Sequence, residues 1–376
     1  AEEQKVPFKI ASKGDVDNVP PHSYCSSYSG LPESLTAADS EYPLRQLLEA
    51  VNTPMARCAT TGYPIQTPFH PKAWALRLAA SRYPHPAAAV TLVKCLRIGV
   101  DLGFHGDRTC MQVGPNLISA TEHPAAIADN IAKELRNGRR KGPFASPPFA
   151  FFYSNPLGVV FKKGKSKPRV IHHLSWPRSS ENASVNSSII DFAVKLDAFD
   201  KALQHVRQLG AGCFMCKIDI ESAYRCIPVR PADWPLLGLQ WDNQFYFDVV
   251  MQFGITSATA IFEWFSSAAH HIAAHACAIQ HMVHYVDDFL FFVHGVDVAK
   301  QRLASFLTVF EELGIPVSLD KLEGPSTIML FLGILFDTTA MTIRLDEERL
   351  TAIHTELTRW SKRPSASREE LQSLIG

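Results

Sequence analysis

The sequence lacks a net charge, a disulfide framework and any apolar run long enough to cross a bilayer. Its 376 residues carry 37 basic and 37 acidic side chains, so the chain as a whole is not a polyanion-binding surface. The stretch Ala268–Ala278 is too short and too polar to span a membrane. Eight cysteines follow no paired spacing, which favours a reducing, intracellular compartment, either cytoplasm or nucleus. These absences argue against a membrane protein and against a secreted disulfide scaffold.

Two patterns that often mark zinc sites are incomplete here. Cys213 and Cys216 have the spacing of half a site, but no second pair follows and the surrounding pattern is that of a buried strand. His271 and His275 lie one helical turn apart without the glutamate of a zinc protease motif. We therefore expect structural roles for both groups.

The composition is that of a globular protein with a substantial core. Hydrophobic residues make up 46% of the chain and charged residues 20%, and this length suffices for several packed subdomains. Positive charge is concentrated in segments 136–141 and 162–169 although the total is neutral. Each segment is compatible with a solvated loop or with a nucleic-acid contact.

Two adjacent aspartates interrupt a strongly apolar part of the sequence. Asp287 and Asp288 follow Met282–Val286 and precede Phe289–Val293. A carboxylate in such a setting is costly unless something compensates it. A hairpin whose turn presents both acids to a divalent cation removes that cost, and a solvated hairpin tip is the alternative.

A third acid, Asp219, ends the apolar strand pattern Cys213–Ile218. Three carboxylates held together repel one another by about 4 kcal/mol per pair at ~4 Å and an effective dielectric constant near ~20. Divalent cations turn this repulsion into binding. One ion can then activate a primer 3′-hydroxyl while the other steadies a triphosphate and its leaving pyrophosphate. The residues thus indicate two-metal phosphoryl transfer, with three unrelated surface aspartates as the alternative.

An ordered set of short motifs resembles the reverse transcriptases, over roughly residues 115–376. In chain order the motifs are Asp219-x-x-x-x-Tyr224, Phe253-Gly254, Tyr285-x-Asp287-Asp288, Lys321 and Phe331-Leu332-Gly333. The finer text is similar to DIRS-like retrotransposons, which carry a tyrosine recombinase, at His123-Pro124, Gly142-Pro143-Phe144, Asn155–Val160, Lys167–Ile171, Ser184-Val185-Asn186 and Phe253–Ala258. The resemblance implies an α+β fold. The implied architecture is that of a right-handed polymerase with a ferredoxin-like palm, fingers and the start of a thumb.

The resemblance also implies the catalytic residues. Asp219, Asp287 and Asp288 would be the catalytic acids. Together with the backbone carbonyl of Ile220 they would bind two Mg²⁺ or Mn²⁺ ions. Lys321 stands at the position of a candidate general acid for pyrophosphate in the family, and a solvated turn lysine is the equal alternative.

The fingers are implied to bind the incoming nucleotide. Arg169 and one of Lys162 and Lys163 would meet the triphosphate, because Arg grips phosphate through two donors and Lys through a point charge. A generic basic hairpin is the alternative.

Further nucleotide and primer contacts follow from the same resemblance. Phe253 and Gly254 would lie against the templating pair, where Gly allows close approach of the backbone. Leu332 and Gly333 lie in a hairpin similar to the primer grip. Tyr224 would sit under the sugar and exclude a 2′-hydroxyl, unless it is a core aromatic.

Two other functions are weighed against this one. An RNA-dependent RNA polymerase tends to carry a second acid near Tyr224 and Gly rather than Val286 before the paired acids, so both residues favour dNTP use. A catalytically silent, nucleic-acid-binding relic of a retroelement is disfavoured by the retained acids. Three residues depart from the family pattern: Gln252 and Thr259 replace common prolines, and His173 replaces an aspartate.

Four regions are expected along the chain. Residues 1–40 form a poorly ordered leader, 41–115 a helical region of unknown role, 116–345 the fingers and palm, and 346–376 a truncated start of the thumb. From Asp219 onward the order β-α-β-β-α-β is ferredoxin-like. The apolar spacing predicts helices at Thr121–Gly138, Ser257–Ala278, Val298–Leu313 and Asp346–Trp360.

The last residues follow a capping box, Ser367-x-x-Glu370. We therefore expect the chain to be a fragment of a longer polyprotein that continues through the thumb and, by resemblance, to a ribonuclease H domain. The expected partners are an RNA template, a DNA or RNA primer and dNTPs, and no membrane.

Overall fold

A computed structural model describes residues 6–7, 43–161, 167–178, 183–194, 196 and 198–375. Apart from Val6 and Pro7, the predicted leader lies outside the described residues, and so do Lys162 and Lys163. Within the described part of the chain, no helix is both long enough and apolar enough to cross a membrane.

The described residues form ten α-helices and fifteen β-strands. The helices are α1 Leu44–Asn52, α2 Pro71–Ala80, α3 Pro86–Ile98, α4 Ile118–Glu122, α5 Pro124–Arg136, α6 Ala198–Leu209, α7 Ala258–Ala276, α8 Val296–Leu313, α9 Glu347–Ser361 and α10 Arg368–Ile375. The strands are β1 Val6–Pro7, β2 Met111–Val113, β3 Arg140–Phe144, β4 Phe152–Ser154, β5 Leu157–Phe161, β6 Pro168–His172, β7 Phe214–Asp219, β8 Gly238–Trp241, β9 Gln244–Asp248, β10 His281–Tyr285, β11 Asp288–Val293, β12 Glu323–Ser326, β13 Ile328–Phe331, β14 Ile334–Asp337 and β15 Thr342–Leu345.

The central sheet has the strand order β10-β11-β7-β12, with every neighbouring pair antiparallel. In chain order its strands alternate with helices as β7, α7, β10, β11, α8 and β12, which is the ferredoxin-like order expected from the sequence. The fold is therefore α+β, as predicted.

Strand alternation gives the central sheet two different faces. Cys216 and Ile218 of β7 and Phe289 of β11 point into the main core, which also contains the apolar faces of α7 and α8. Residues of opposite parity, such as Met215 and Leu290, pack into a second core with α6. Asp219 and Asp288 share this second face, because they lie an even number of residues from Met215 and Leu290.

A five-stranded sheet with the order β2-β4-β8-β9-β3 lies beside the central sheet, and β5 and β6 form a separate antiparallel hairpin. The hairpin β8–β9 is inserted between β7 and α7, so the two sheets share one stretch of chain. This insertion brings β9 and the loop after it to the end of β7 where Asp219 lies.

The N-terminal helices α1–α3 belong to the same main core as the central sheet. The indole nitrogen of the fully buried Trp74 donates to the Leu313 carbonyl at the end of α8, at 3.0 Å. Val100 forms a parallel bridge with Val229. This N-terminal region is thus packed against α8 and against the segment that follows β7.

Helix boundaries were predicted unevenly. Helices α7, α8 and α9 begin and end within two residues of the predictions. The predicted helix Thr121–Gly138 is wrong as one element, because the chain breaks at His123 (φ −129°, ψ 56°) and α5 begins at Pro124. Proline has no N–H to continue α4 but suits the first position of a new helix.

The apolar stripe of α9 is exposed within this structure. Leu350, Ile353 and Leu357 are 56%, 43% and 55% exposed. Asp346 caps the helix by accepting a hydrogen bond from the Arg349 amide at 2.7 Å.

Candidate active site

Three aspartates meet at one end of the central sheet. Asp219, the last residue of β7, lies directly opposite Asp288, the first residue of β11. Asp219 is 6% exposed, and Asp288 is half-buried. Asp287 occupies the two-residue turn between β10 and β11, closed by the pair Tyr285 and Asp288. The residues predicted as catalytic acids are therefore brought together by the register of two strand pairs.

The turn that carries Asp287 is under backbone strain. Val286, its first residue, has a φ of +57° although it is β-branched and buried. Such a conformation costs on the order of 1–3 kcal/mol and persists only where surrounding contacts enforce it. One such contact is the Ile220 amide, which donates to the Asp287 carbonyl at 3.0 Å. The strained turn is thereby tied to the residue after Asp219.

Asp287 and Asp288 both have raised pKa values. Burial, followed by the charges of Asp287 and Asp219, raises the pKa of Asp288 to about 6. Burial and the Asp219 charge also raise the pKa of Asp287, whereas Lys321 lowers it. The charged forms therefore repel one another, as expected for a group whose role is to hold cations.

Lys321 is the nearest counter-charge. Its Nζ donates to Asp219 Oδ1 at 2.7 Å, although the side chain is 58% exposed. Burial alone would lower its pKa, but the hydrogen bond to Asp219 and the nearby acids outweigh this and raise it. The Ser318 amide donates to the Asp219 carbonyl at 2.9 Å and fixes the start of this segment. Lys321 thus lies on the acid cluster, with its ammonium hydrogen-bonded to Asp219.

The donor set fits a hard divalent cation. Carboxylate and backbone carbonyl oxygens are the ligands that Mg²⁺ prefers. Two backbone hydrogen bonds flank the bridge between Ile220 and Val317: the Glu221 amide donates to the Pro316 carbonyl, and the Asp219 carbonyl accepts from the Ser318 amide. The Ile220 carbonyl takes part in neither of these two bonds. Among the described residues, no three His, Cys, Asp or Glu side chains are arranged to enclose an ion by themselves.

Tyr224 and Phe253 meet beside the acids. Their rings pack edge to face with centroids 5.0 Å apart, and Phe253 is 57% exposed. The other side of Tyr224 packs edge to face on Phe262 of α7 at 5.2 Å. Its hydroxyl lies 3.2 Å from the Thr259 hydroxyl. Tyr224 is therefore half-buried and held by Phe262 and Thr259 of α7, with the exposed Phe253 as its neighbour.

Asn186 holds the loop after Phe253, a role that the sequence did not reveal. Its Nδ2 donates to the Gly254 carbonyl at 2.8 Å, and its Oδ1 accepts from the Thr256 amide at 3.0 Å. Gly254 has a φ of +91°, which favours glycine. The only sequence signal for this clamp was the Ser-Val-Asn text that resembles the family.

The β5–β6 hairpin approaches this loop. Strand β6 ends at His172, and a Cβ placed on Gly254 would lie 3.8 Å from the His172 carbonyl. Arg169 is exposed on the same strand and faces Val160 in the pairing of β5 and β6. Lys162 and Lys163 lie outside the described residues, so only Arg169 of this predicted group is placed.

A buried ionic network connects α5 and β3 to the loop after β9. Asp248 is fully buried and accepts hydrogen bonds from Arg140, Arg225 and Gln252, at 2.8, 2.8 and 2.9 Å. Glu134 of α5 accepts a second contact from Arg225 at 2.7 Å. The sequence alone placed Arg140 within a basic segment, whereas it is 2% exposed and paired. Gln252, one of the departures from the family pattern, is a member of this network.

The predicted primer-grip turn is clamped by the first helix after it. Leu332 and Gly333, at φ values of +52° and +77°, connect β13 and β14. Arg349 of α9 donates to the Leu332 carbonyl at 2.7 Å. A Cβ on Gly333 would lie 2.1 Å from the Arg349 guanidinium, which is the movable end of its side chain, so it is the positive φ that favours glycine there. Sequence reasoning did not single out Arg349.

Comparison with protein families gives one match. Residues 161–336 match the family described as reverse transcriptase (RNA-dependent DNA polymerase). The matched segment contains the three acids, Tyr224 and Lys321. No curated protein sequence matches the chain.

Solved structures with a similar fold include three of the foamy viral protease-reverse transcriptase. The complex with dsDNA has a TM-score of 0.54 at 16% identity and covers 92% of this chain and 63% of that chain. A form denoted dRH with dsDNA has a TM-score of 0.55 at 15% identity, with coverages of 92% and 53%. The complex with an RNA/DNA hybrid has a TM-score of 0.52 at 16% identity, with coverages of 92% and 40%.

The structural likeness establishes the fold. This chain spans between 40% and 63% of the length of those foamy viral chains. The central sheet therefore has the fold found in those foamy viral protease-reverse transcriptase chains, and residues 161–336 match the reverse transcriptase family.

Proposed function

We propose that this chain is an RNA-directed DNA polymerase of a retrotransposon, a nucleotidyltransferase that extends a primer with dNTPs by two-metal-ion phosphoryl transfer. The observation that carries the proposal is the meeting of Asp219, Asp287 and Asp288 at one end of the palm, beside Tyr224 and Phe253. The match to the reverse transcriptase family over the same segment supports it.

The acids of this site hold positive charge in place during the reaction. When bound, two Mg²⁺ or Mn²⁺ ions lower the pKa of the primer hydroxyl and neutralise the leaving pyrophosphate. Asp219 and Asp287 supply the principal oxygen ligands, with Asp288 and the Ile220 carbonyl as additional ones. Phosphoryl transfer depends mostly on positioning and charge neutralisation, so a rigid cluster of acids is what it requires.

Lys321 is positioned to handle a proton on the leaving group. Its ammonium is held charged by Asp219 and is largely exposed to the site. A charged lysine has a proton to donate to pyrophosphate as the bond to the α-phosphorus breaks.

Tyr224 is the residue that selects the sugar. Its ring is fixed between Phe253 and Phe262, so it cannot move away from an added 2′-hydroxyl without disturbing the core. Arg169, together with Lys162 or Lys163, grips the triphosphate from the fingers, and Phe253 and Gly254 contact the nascent pair.

The domain assignment follows the predicted regions. Residues 116–345 form the fingers and palm and 346–376 begin the thumb, with Leu332 and Gly333 as the primer grip. The exposed apolar stripe of α9 supports a continuation of the thumb, and a following ribonuclease H domain is part of the same proposal.

The partners proposed are an RNA template, a DNA or RNA primer and dNTPs. The foamy viral neighbours were solved with dsDNA and with an RNA/DNA hybrid, which supports a duplex partner for this palm. The motif text supports a DIRS-like retrotransposon origin. The cysteines of the described segments are unpaired, which supports action inside the cell, in cytoplasm or nucleus.

Primer extension on an RNA template tests this function. Wild-type protein with Mg²⁺ or Mn²⁺ should extend a labelled primer with dNTPs and use rNTPs much less. Asp287→Asn should abolish extension while template binding is kept, because it removes one ligand and no nucleic-acid contact. Asp320→Asn is the matched control, since Asp320 is exposed next to Lys321 and outside the acid cluster.

Three results would contradict the proposal. Substantial extension by Asp287→Asn protein would exclude the two-metal assignment. Equal use of rNTPs and dNTPs would favour an RNA polymerase. Template binding without any extension by the wild-type protein would indicate a silent relic.

A further inference from the structure

A line of polar side chains runs along helix α7 beneath the candidate active site. Thr259, Glu263, Ser266 and His270 follow a spacing of three or four residues, so they share one face of the helix. The rest of the helix is rich in buried apolar residues that pack in the main core. A polar line inside such an interface is costly unless each member has a partner.

Each member of this line contacts a residue of the active-site elements. Thr259 lies 3.2 Å from the Tyr224 hydroxyl. Glu263 and His270 both contact His284 of β10, at 2.8 and 2.9 Å. These contacts fix the strand that leads into the Asp287 turn.

Ser266 makes the contact nearest to the acids. Its hydroxyl donates to the carbonyl of Val286 at 2.6 Å, and the side chain is 1% exposed. A serine within a helix commonly returns its hydrogen bond to a carbonyl of its own helix. Ser266 instead reaches across to the turn residue that precedes Asp287.

The turn needs such a contact for two reasons. Val286 adopts a positive φ that a β-branched residue otherwise avoids, so the turn would relax if it were released. The Val286 carbonyl accepts its hydrogen bond from the buried Ser266 hydroxyl, so removal of that hydroxyl would leave the carbonyl without this partner. Relaxation of Val286 would rotate the next peptide and move the Asp287 carboxylate.

We propose that the Ser266 hydroxyl is a positioning group that holds the Val286–Asp287 turn in the geometry needed for metal binding. The effect of Ser266 on catalysis rests on the proposed polymerase function, whereas its effect on the geometry of the turn does not. Ser266 does not touch substrate or reacting atoms, and it acts through Val286. Because α7 is packed in the core, the Ser266 hydroxyl is held in place, and it holds the turn that carries Asp287.

Ser266→Ala is the central variant and Ser257→Ala is its matched control. Ser257 is also buried at the start of α7, and its hydroxyl donates to the Leu102 carbonyl at 2.8 Å. Both variants therefore lose one buried hydroxyl-to-carbonyl bond, but only one of these bonds ends on the turn. Ser266→Cys keeps a weak donor at the same position, so it should give an intermediate result.

Hydrogen exchange of the Ile220 amide provides a readout that needs no catalysis. This amide donates to the Asp287 carbonyl and so reports on the turn. Ser266→Ala should exchange it about fivefold faster relative to amides of the β13–β14 pair, as expected from loss of one hydrogen bond. Ser257→Ala should leave this ratio unchanged even if it lowers global stability.

Metal binding and kinetics provide the second readout. The affinity for Mn²⁺ alone, measured from the signal of the free ion, should fall several-fold in Ser266→Ala. In primer extension, kcat should fall while KM for dNTP stays near the wild-type value, because the nucleotide contacts are intact.

The outcomes separate this inference from the polymerase function. Wild-type exchange ratios and Mn²⁺ affinity in Ser266→Ala would overturn it, whether or not the protein polymerises. Faster exchange and weaker Mn²⁺ binding would support it even if the wild-type protein extends no primer. If Ser266→Ala does not fold, the same comparison is made with Ser266→Cys, and unchanged ratios there would likewise overturn it.

Discussion

Asp288 lies directly opposite Asp219 across the antiparallel pair of strands β11 and β7. Residues opposite one another on adjacent strands place their side chains on the same face, and like charges there are destabilising. The raised pKa of Asp288, about 6, reflects burial and this repulsion. The pair is thus a local cost to folding that a bound cation would offset.

Asp288→Asn should therefore stabilise the protein when divalent cations are absent. Removing one of the facing charges is expected to raise the free energy of unfolding by about 1 kcal/mol in EDTA, since the pair is partly screened by solvent. Excess Mg²⁺ should stabilise the wild type more than the variant, because binding to the folded state adds stability in proportion to affinity. Urea denaturation with and without Mg²⁺ measures both effects. An Asp288→Asn protein that is less stable in EDTA would contradict this view of the pair.

Tyr224→Ala should relax the choice of sugar. Loss of the ring opens the space above Phe262, so incorporation of rNTPs relative to dNTPs should rise by about tenfold or more, the scale of a steric pocket effect. Tyr224→Phe is the control, because it keeps the ring and loses only the contact with Thr259. Single-nucleotide insertion with competing dNTP and rNTP gives the ratio. An unchanged ratio in Tyr224→Ala would make Tyr224 a core aromatic only.

Arg169→Ala should weaken nucleotide use more than template binding. A charge-assisted contact to phosphate contributes roughly 1.5–3 kcal/mol, so KM for dNTP should rise about ten- to a hundredfold. Arg169→Lys keeps the charge without the two-pronged geometry and should fall between the two. Steady-state kinetics and a template-binding assay are run in parallel. Equal losses in both would instead mark the β5–β6 hairpin as a surface that follows the nucleic-acid backbone.

His172 should make stability fall in acid. Burial of the ring, followed by the charge of Arg140, lowers its pKa to about 3, compared with a usual value near 6.5. Between these values the unfolded chain binds a proton that the folded chain excludes, so stability is lost as the pH falls through this window.

His172→Gln tests this dependence. Between pH 7 and pH 5 the wild type should lose about 1 kcal/mol more free energy of unfolding than the variant, after allowance for partial exposure. His275→Gln is the control, because His275 is exposed on α7. Denaturation curves at both pH values provide the comparison. Parallel pH profiles for wild type and His172→Gln would show that another group is responsible.

The sequence by itself determined the central sheet and the presence of three aspartates at one end of it. Nearly continuous apolar runs beside Asp219 and Asp288 specify strands buried on both faces, because successive side chains of a strand point to opposite faces. The order of strands and helices after Asp219 then leaves the ferredoxin-like arrangement as the natural solution. Local signals of this kind act over a few residues, so they could be read directly.

The contacts that hold the site were decided only by the tertiary structure. Arg140 and Asp248 are 108 residues apart, Glu134 and Arg225 are 91 apart, and Trp74 and Leu313 are 239 apart. No local pattern distinguishes a buried arginine from a solvated one within a basic segment. The contacts from Ser266 to Val286 and from Asn186 to Gly254 have the same origin. Pairing across such distances depends on how whole elements pack, because the cost of burying each polar group is offset only by a partner from elsewhere in the chain.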